Sequence, residues 1–439
     1  MNSKCLYIET FGCQMNVNDS ERIISMLADL DYTITREAAN ADMILLNTCS
    51  VRGGAEEKVY KRLENLRPLK KKKQGLLIGV GGCVAQQEGE ALIGKFPWLD
   101  MVFGTHNLHL LADMVRCAEN GEQRCEIAFI DNDRRLELFP PVKGNNSRCS
   151  SFVTVMQGCD NFCSYCIVPY VRGREVSRRS ADILTEVHEL AIAGVQEVVL
   201  LGQNVNSYGH NVKGEPNFAQ LLKMVAAVDG IRRIRFTTSH PKDMSEELIA
   251  CFAEVTKLCG HIHLPVQSGS DVVLQRMNRG YTLAVYLEKI QALRKARPGI
   301  AVTGDIIVGF PGETDADFAQ TVSLVEAVRY SDLFLFVYSA RPGTKATEFP
   351  EELSREQKVA RLEQLLDLQK QITREINNSY IGTVQRVLVE GEGKRALQVS
   401  GRIDSGRIVN FDGVPDQIGS FADVRIVKSY QNSLLGEIL

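Results

Sequence analysis

The run MQGCDNFCSYCIVPYVRGR (Met156–Arg174) carries Cys159, Cys163 and Cys166 in the spacing Cys-x3-Cys-x2-Cys, with no fourth cysteine close by. Three thiolates match three of the four irons of a cubane [4Fe–4S] cluster and leave one iron open to a small molecule. A structural zinc site would close its tetrahedron with a fourth Cys or His. The nearest downstream histidine, His188, falls in a predicted helix well along the chain. Soft thiolate ligands favour the cluster, with zinc and unliganded thiols as the alternatives. The run also follows an apolar strand, SFVTVMQG, which places the cysteines at a strand's carboxyl end.

Downstream, five more strands follow at helix-length intervals: QEVVLLGQN, RRIRFTTS, HIHLPVQS, AVTGDIIVGF and DLFLFVYS. Six βα units in about 190 residues predict a partial (β/α)6 barrel rather than a closed eightfold one. The cysteine run then lies on the barrel's catalytic face. Ser354–Asn378 reads as a long charged helix. From Tyr380 the pattern changes to short strands and glycines, a small all-β barrel of OB-like type. Its candidate roles are nucleic-acid binding, a structural cap or dimerisation.

Upstream, one unit recurs three times. The strand KCLYIET leads to Cys13 and a helix expected to start at Asn18/Asp19; ADMILLNT leads to Cys49 and a helix; GLLIGVGG leads to Cys83 and VAQQEGEALIGKF. The intervals of 36 and 34 residues each fit one strand–helix step. Strands joined this way are parallel, so all three cysteines fall at the carboxyl edge of one open α/β sheet, where such sheets bind ligands. The plainer reading is three small buried residues at strand ends. GVGGC lacks the spacing of a dinucleotide fingerprint and reads as a tight turn. DNDRR (Asp131–Arg135) and PPVKGNNS mark a connector between the halves.

At 439 residues the chain is long enough for several domains, and 44% hydrophobic with 24% charged residues is the balance of a globular protein. No apolar run is long enough to span a membrane, and the start lacks a signal-peptide pattern, so a cytoplasmic location is expected. Twelve cysteines there point to metal ligands or buried thiols rather than disulfides. A net charge of −3 gives no global pull on nucleic acid, so an RNA partner would need a local basic surface. Lys70–Lys73 is one candidate; its plainer reading is the cationic end of a helix.

The cysteine run, with Tyr165 before its last cysteine, resembles the radical S-adenosylmethionine (SAM) superfamily. Together with TFGCQMN, NTCSVR and GGC it resembles that superfamily's methylthiotransferases, and the C-terminal barrel resembles the TRAM domain of RNA-modifying enzymes. The signatures TFGCQMNVNDSE, NTCSVRGGAEEKV, LLGQNVNSYG, TTSHP, HLPVQSGSD, GFPGET and YSARPGT are similar to the branch acting on prenylated adenosine in tRNA. Branches acting on threonylcarbamoyl-adenosine or a ribosomal-protein aspartate tend to carry GCKVN or GCSKN in place of GCQMN. Gly53-Gly54 departs from a charged pair usual in relatives.

The resemblance implies an N-terminal domain over 1–120, a linker over 121–147, a radical-SAM domain over 148–378 and a TRAM domain over 379–439. It implies two [4Fe–4S] clusters. Cys159, Cys163 and Cys166 would hold the one that cleaves SAM, and Cys13, Cys49 and Cys83 the one that supplies sulfur. Tyr165, Gln203, Asn204, Gln267, Ser268 and Asp305 become candidates for SAM binding. Gln203 and Asn204 are expected to end the second barrel strand, Gln267 and Ser268 the fourth, and Asp305 to begin the fifth core strand. Arg341 is a candidate partner for a carboxylate or phosphate. Cys5, Cys117, Cys125, Cys149, Cys251 and Cys259 are read as ordinary thiols. Expected partners are a tRNA anticodon stem-loop with a prenylated adenosine, a flavodoxin- or ferredoxin-type reductant and a cluster or sulfur donor protein, with no membrane.

Overall fold

The computed structural model describes residues 3–50, 54–130 and 149–439. Gly53 and residues 131–147 of the expected linker lie outside the described residues. The chain forms two compact units. The first joins residues 3–50 and 54–130 to Met156–Phe162 and Cys166–Arg178; the second joins residues 149–155 to Cys163–Tyr165 and Arg179–Leu439.

In the first unit, β1 (Lys4–Thr10), β2 (Tyr32–Ile34), β3 (Met43–Thr48), β4 (Leu77–Gly82), β5 (Met101–Phe103) and β6 (Arg124–Glu126) form one sheet in the order β2-β1-β3-β4-β5-β6. Every pairing is parallel. Along β3 the side chains alternate between two cores, as the strand's period of two requires. Met43 and Leu45 pack with Ile23, Leu27 and Leu111 from α1 (Gln14–Ala28) and α5 (Leu111–Glu119). Ile44 and Leu46 pack with Val59, Leu63, Val84 and Leu92 from α2 (Ala55–Lys72), α3 (Cys83–Glu88) and α4 (Glu90–Lys95). Each such side chain contributes roughly 1.5–3 kcal/mol on burial. With both faces covered, β3 and β4 read as continuous apolar runs. The helix expected from Asn18/Asp19 instead begins at Gln14, with Cys13 in the N-cap position. The short β2, β5 and β6 have no clear period and escaped the sequence reading.

The cysteine loop of the first unit holds β8 (Met156–Gln157), which pairs antiparallel with β9 (Val176–Ser177) around α6 (Val168–Arg172). In the second unit, β7 (Ser150–Thr154) starts the barrel. The chain returns through helix Ser180–Ile192 to β10 (Glu197–Leu201), β11 (Arg233–Phe236), β12 (His261–His263), β13 (Ala301–Val308) and β14 (Asp332–Val337). These six parallel strands form two three-stranded sheets, β7-β10-β11 and β12-β13-β14, with an isolated bridge from Ile234 to Leu258. This is the expected partial barrel. Asp305 lies in the middle of β13 and not at its start, because the β-branched residues Val302 and Thr303 already extend the strand upstream.

The last five strands, β15 (Val384–Glu392), β16 (Gln398–Arg402), β17 (Ile408–Asp412), β18 (Phe421–Ser429) and β19 (Leu434–Ile438), close a small barrel in the order β15-β16-β17-β19-β18. Its β16–β17 turn is held against the amino ends of the larger barrel's strands. Arg235 ion-pairs with Glu197 at 2.9 Å and donates to the carbonyls of Ile403 and Asp404 at 2.7 and 3.0 Å. Arg233 donates to the carbonyls of Arg402 and Arg386 at 2.7 and 2.6 Å. The small barrel therefore closes the end opposite the strands' carboxyl edge. Among the described residues no helix is long and apolar enough to cross a membrane.

Candidate active site

In the first unit, Cys13, Cys49 and Cys83 each follow one of three adjacent parallel strands, β1, β3 and β4. A buried polar network fixes these ends. Asn16 donates to the Asn47 side-chain oxygen at 3.2 Å and to the Thr48 carbonyl at 2.9 Å. Asn47 donates to the Asn16 carbonyl at 2.8 Å and to Ser20 Oγ at 2.9 Å. Thr48 Oγ1 donates to the Gly81 carbonyl at 2.6 Å and accepts from the Val84 N–H at 3.2 Å. The network links the turn after β1 to the ends of β3 and β4.

Two glycines show how closely the cysteine turns approach one another. A Cβ on Gly12 (φ +113°) would lie 2.8 Å from Cys49 Sγ, and one on Gly82 (φ +91°) 2.4 Å from the Thr48 carbonyl.

Arg172, only 3% exposed, is the cation of this edge. It pairs with Asp19 at 2.9 Å. Burial alone would lower its pKa, but the neighbouring Cys83, Asp19 and Cys13 raise it instead. Burial pushes the Cys83 thiol up, and Arg172 acts against that shift. The backbone at Arg172 is fixed as well. His106 Nδ1 accepts from the Ile130 N–H at 3.1 Å, so its Nε2 carries the proton and donates to the Arg172 carbonyl at 2.9 Å. Thr105 Oγ1 donates to the Val171 carbonyl at 2.6 Å. Ile167 and Val171 pack on Cys83. The segment after Cys166 is thus built onto Cys83.

In the same unit the Cys159 N–H donates to the Gly173 carbonyl at 3.3 Å, and Asn161 donates to Cys159 Sγ at 3.5 Å. In the second unit Cys163 is buried, and Arg279 donates to its sulfur at 3.3 Å. Arg279 also donates to Tyr281 Oη at 3.1 Å and to the Pro265 carbonyl at 2.8 Å. Burial alone would lower the Arg279 pKa, but Tyr165, Tyr281 and Cys163 hold it well above its ordinary value.

In the first unit the soft donor Cys83 lies beside the buried cation Arg172, and in the second Cys163 lies beside Arg279, surroundings that suit an anionic thiolate-ligated cluster. Among the described residues no three Cys, His, Asp or Glu side chains close on a point as the ligands of one ion would. The thiolates of a cubane bind different irons and stand further apart than that.

The remaining candidates separate. Tyr165 packs edge-on against Phe310, 6.4 Å between centroids, and receives a hydrogen bond from Arg279 at 3.5 Å. Gln203 and Asn204 lie just past the end of β10, where Asn204 donates to Asp243 at 2.7 Å. Gln267, at φ +77°, bridges to β13, and its buried Oε1 has no partner. Ser268 is occupied locally, accepting from the Ser270 N–H at 3.2 Å. Asp305 faces His263 at 3.5 Å. The Arg341 carbonyl accepts from the Thr344 N–H at 3.1 Å.

His188 is exposed on its helix, bonded to the Leu184 carbonyl at 2.7 Å. Cys149 is buried beside the Val389 carbonyl, and burial pushes its thiol up to about 11. Burial likewise pushes Cys259 up to about 12 and Cys125 up to about 11, which suits inert thiols. Lys70 is tied to Asp100 at 2.6 Å and Lys73 to Asp42 at 2.8 Å, so these two serve the fold. Sequence reasoning missed Asn16, Asn47, Thr48, Arg172 and Arg279. Signals existed for four of them: Asn16 sits in TFGCQMN, Asn47 and Thr48 open NTCSVR, and Arg172 lies in YVRGR directly after the cysteines.

The chain matches three family models: Uncharacterized protein family UPF0004 over residues 5–104, the Radical SAM superfamily over 153–325 and the TRAM domain over 378–439. A protein of Pelobacter propionicus named tRNA-2-methylthio-N(6)-dimethylallyladenosine synthase is 66% identical over 439 residues, covering 100% of both chains. Proteins of the same name from Geobacter sulfurreducens and Syntrophus aciditrophicus are 62% and 48% identical, covering 100% of this chain and 98% and 95% of theirs. Among solved structures, the radical S-adenosylmethionine methyltransferase TsrM from Kitasatospora setae aligns with a TM-score of 0.60 at 14% identity, over 79% of this chain and 74% of that one. The cobalamin-dependent radical enzyme OxsB aligns with a TM-score of 0.54 at 14% identity, over 84% of this chain and 56% of that one. At such identity these structures speak to the fold alone.

Proposed function

This chain belongs to the family of tRNA-2-methylthio-N(6)-dimethylallyladenosine synthases, and from that premise we propose how its residues divide the reaction. The reaction adds a methylthio group to C2 of N6-dimethylallyladenosine in tRNA, using SAM both as methyl donor and as radical source, with two [4Fe–4S] clusters. C2 of adenine is unactivated, which is why a radical is required. The alternative substrates, threonylcarbamoyl-adenosine and a ribosomal-protein aspartate, are not those for which the relatives are named.

In our reading Cys159, Cys163 and Cys166 hold one cluster and Cys13, Cys49 and Cys83 the other. When bound, the first supplies the electron that cleaves SAM and the second supplies the sulfur. The protein's own part is positioning and charge. Asn16, Asn47 and Thr48 hold three strand ends in register, so that thiolates distant in sequence share one edge. Arg172 and Arg279 each place a permanent cation beside a cysteine set and lower the cost of burying negative charge there. Tyr165, Gln203, Asn204, Gln267, Ser268 and Asp305 remain proposed SAM neighbours. The unpartnered Oε1 of Gln267 and Oδ1 of Asn204 make these two the strongest of them, since a buried acceptor of this kind calls for a donor.

The substrate we propose is the anticodon stem-loop of a cytoplasmic tRNA, whose loop bases leave the stack at modest cost. A flavodoxin- or ferredoxin-type protein would deliver the electron, and a separate donor would refill the sulfur. The observation that carries the reading is the set Cys13, Cys49 and Cys83 on three adjacent strand ends beside buried Arg172.

Iron analysis tests it. The anaerobically reconstituted protein should hold about eight irons per chain, and Cys13→Ala about four. That variant should also form no methylthio nucleoside by mass spectrometry. Unchanged iron in Cys13→Ala would refute the two-cluster reading.

A further inference from the structure

Phe162 lies between two of the loop's cysteines and is unusual in two respects. It adopts φ +44°, in the left-handed region that residues with a Cβ avoid, and it is 38% exposed. Its ring meets Tyr170 edge-to-face, 6.3 Å between centroids at 84°, and Tyr170 on α6 is 48% exposed. The Arg174 guanidinium carbon lies 5.2 Å from the Phe162 centroid. Arg174 is held by Asp160 at 3.0 Å, and the same carboxylate oxygen accepts from the Glu175 N–H at 3.0 Å. Two large aromatic rings and a guanidinium thus form one contiguous surface, all within the first unit.

The helix α6 is already anchored by Ile167 and Val171 on Cys83 and by the bonds from Thr105 and His106 to its last carbonyls. A strained backbone that turns an aromatic ring toward water works against folding, and such strain collects at functional sites. Unpaired nucleobases are bound by exposed aromatic rings together with an arginine plane, because every base offers a π-face.

We propose that Phe162, Tyr170 and Arg174 form a stacking platform for an unpaired nucleobase flanking the target adenosine. The proposal rests on the tRNA-loop reading above and adds to it the surface that grips the loop. The platform is sequence-tolerant: it fixes a base by stacking and leaves identification of the target to the prenyl group and the reacting edge.

The test uses the reconstituted full chain and a synthetic anticodon stem-loop carrying N6-dimethylallyladenosine, with 2-aminopurine at the loop position next to it. Binding to the wild type should quench the 2-aminopurine by stacking. Tyr170→Ala and Arg174→Ala should each weaken binding, Tyr170→Ala by about tenfold, and should restore fluorescence in the bound state. Tyr170→Phe should keep both affinity and quench. Phe162→Ala is read only alongside its iron content, since it neighbours Cys163; Tyr170 and Arg174 lie outside the cysteine spacing and decide the matter. Wild-type affinity and quench in Tyr170→Ala overturn the platform and leave the tRNA reading standing. A wild type that fails to bind the stem-loop overturns the tRNA reading itself.

Discussion

Cys13, Cys49 and Cys83 span 70 positions of chain, whereas Cys159, Cys163 and Cys166 lie within eight. The first set is assembled by a fold: three strands must pair in parallel and in register before the thiols share an edge. The second is set by local chain geometry, and its neighbours only furnish the surroundings. In the loop the bonds are short-range instead, from the Cys159 N–H to the Gly173 carbonyl and from Asn161 to Cys159 Sγ, and sequence proximity sets the spacing. What the two have in common is a buried guanidinium, Arg172 in one and Arg279 in the other. Geometry is thus obtained in two ways and electrostatics in one.

The largest effect should come from breaking the register device. Asn47 is 2% exposed and makes three hydrogen bonds through its side chain. Asn47→Ala leaves the Asn16 amide and carbonyl without those partners, each worth roughly 1–3 kcal/mol when buried. We expect the first unit to lose on the order of 2–4 kcal/mol, and the reconstituted protein to fall from about eight irons to about four. Hydrogen exchange at β3 and β4 should rise while β13 stays protected. A variant with full iron and unchanged exchange would show that the fold-built site needs no such lock.

This division also explains what the sequence revealed. The cysteines were legible because strand–Cys–helix recurs at near-constant intervals and because Cys-x3-Cys-x2-Cys is compact. The six barrel strands were legible from apolar stretches recurring at helix-length intervals, β10 buried along its whole length and β14 alternating between buried or half-buried and exposed positions. The three-residue β2, β5 and β6 were not, since three residues show no period. Arg279 is 116 positions from the sulfur to which it donates, and no local pattern announces such a contact. The start of α1 was misplaced because Asn18 and Asp19 look like caps. Both in fact lie inside the helix, Asn18 buried and Asp19 holding Arg172. Polar residues recruited to a site thus imitate the signals that end an element.

The shared electrostatics can be tested separately from geometry. Replacing Arg279 by Met removes a fixed positive charge and a donor to Cys163 Sγ. Loss of a nearby cation makes electron uptake harder, so the midpoint potential of the SAM-cleaving cluster should fall. A shift of roughly 60 mV corresponds to about 1.4 kcal/mol for one electron, a modest figure for a lost charge-assisted bond. Arg172→Met should instead lower the potential of the other cluster. Arg279→Lys should recover most of the shift, because charge is kept while the fork to Tyr281 and Pro265 is lost. Electron paramagnetic resonance during a redox titration separates the two clusters. A shift in the wrong cluster, or none, would break the parallel between the two arginines.

The smallest effect should distinguish the two neighbourhoods by pH. The amides and hydroxyls around Cys13, Cys49 and Cys83 do not titrate, but the surroundings of Arg279 include His240. Its ring lies 5.6 Å from that of Tyr281, and Nδ1 accepts from the Lys242 N–H at 3.2 Å. Burial, then the charges of Arg279 and Lys242, hold its pKa down to about 2. The folded state keeps His240 neutral, while the unfolded chain takes up a proton near pH 6.5. The unfolded state therefore binds more protons below that pH. Stability is complete above about pH 6.5 and falls as the pH drops, by about 1.4 kcal/mol per pH unit for one proton. Hydrogen exchange over residues 233–244, corrected for the intrinsic pH dependence, should show roughly fivefold less protection at pH 5.5 than at pH 6.5, where the unfolded histidine is already half protonated. His240→Asn, which keeps an acceptor near the Lys242 N–H, should remove most of that slope, and strands β3 and β4 should show none of it. Equal slopes in both regions would mean that acid acts on the chain as a whole and that the barrel neighbourhood holds no titrating group of its own.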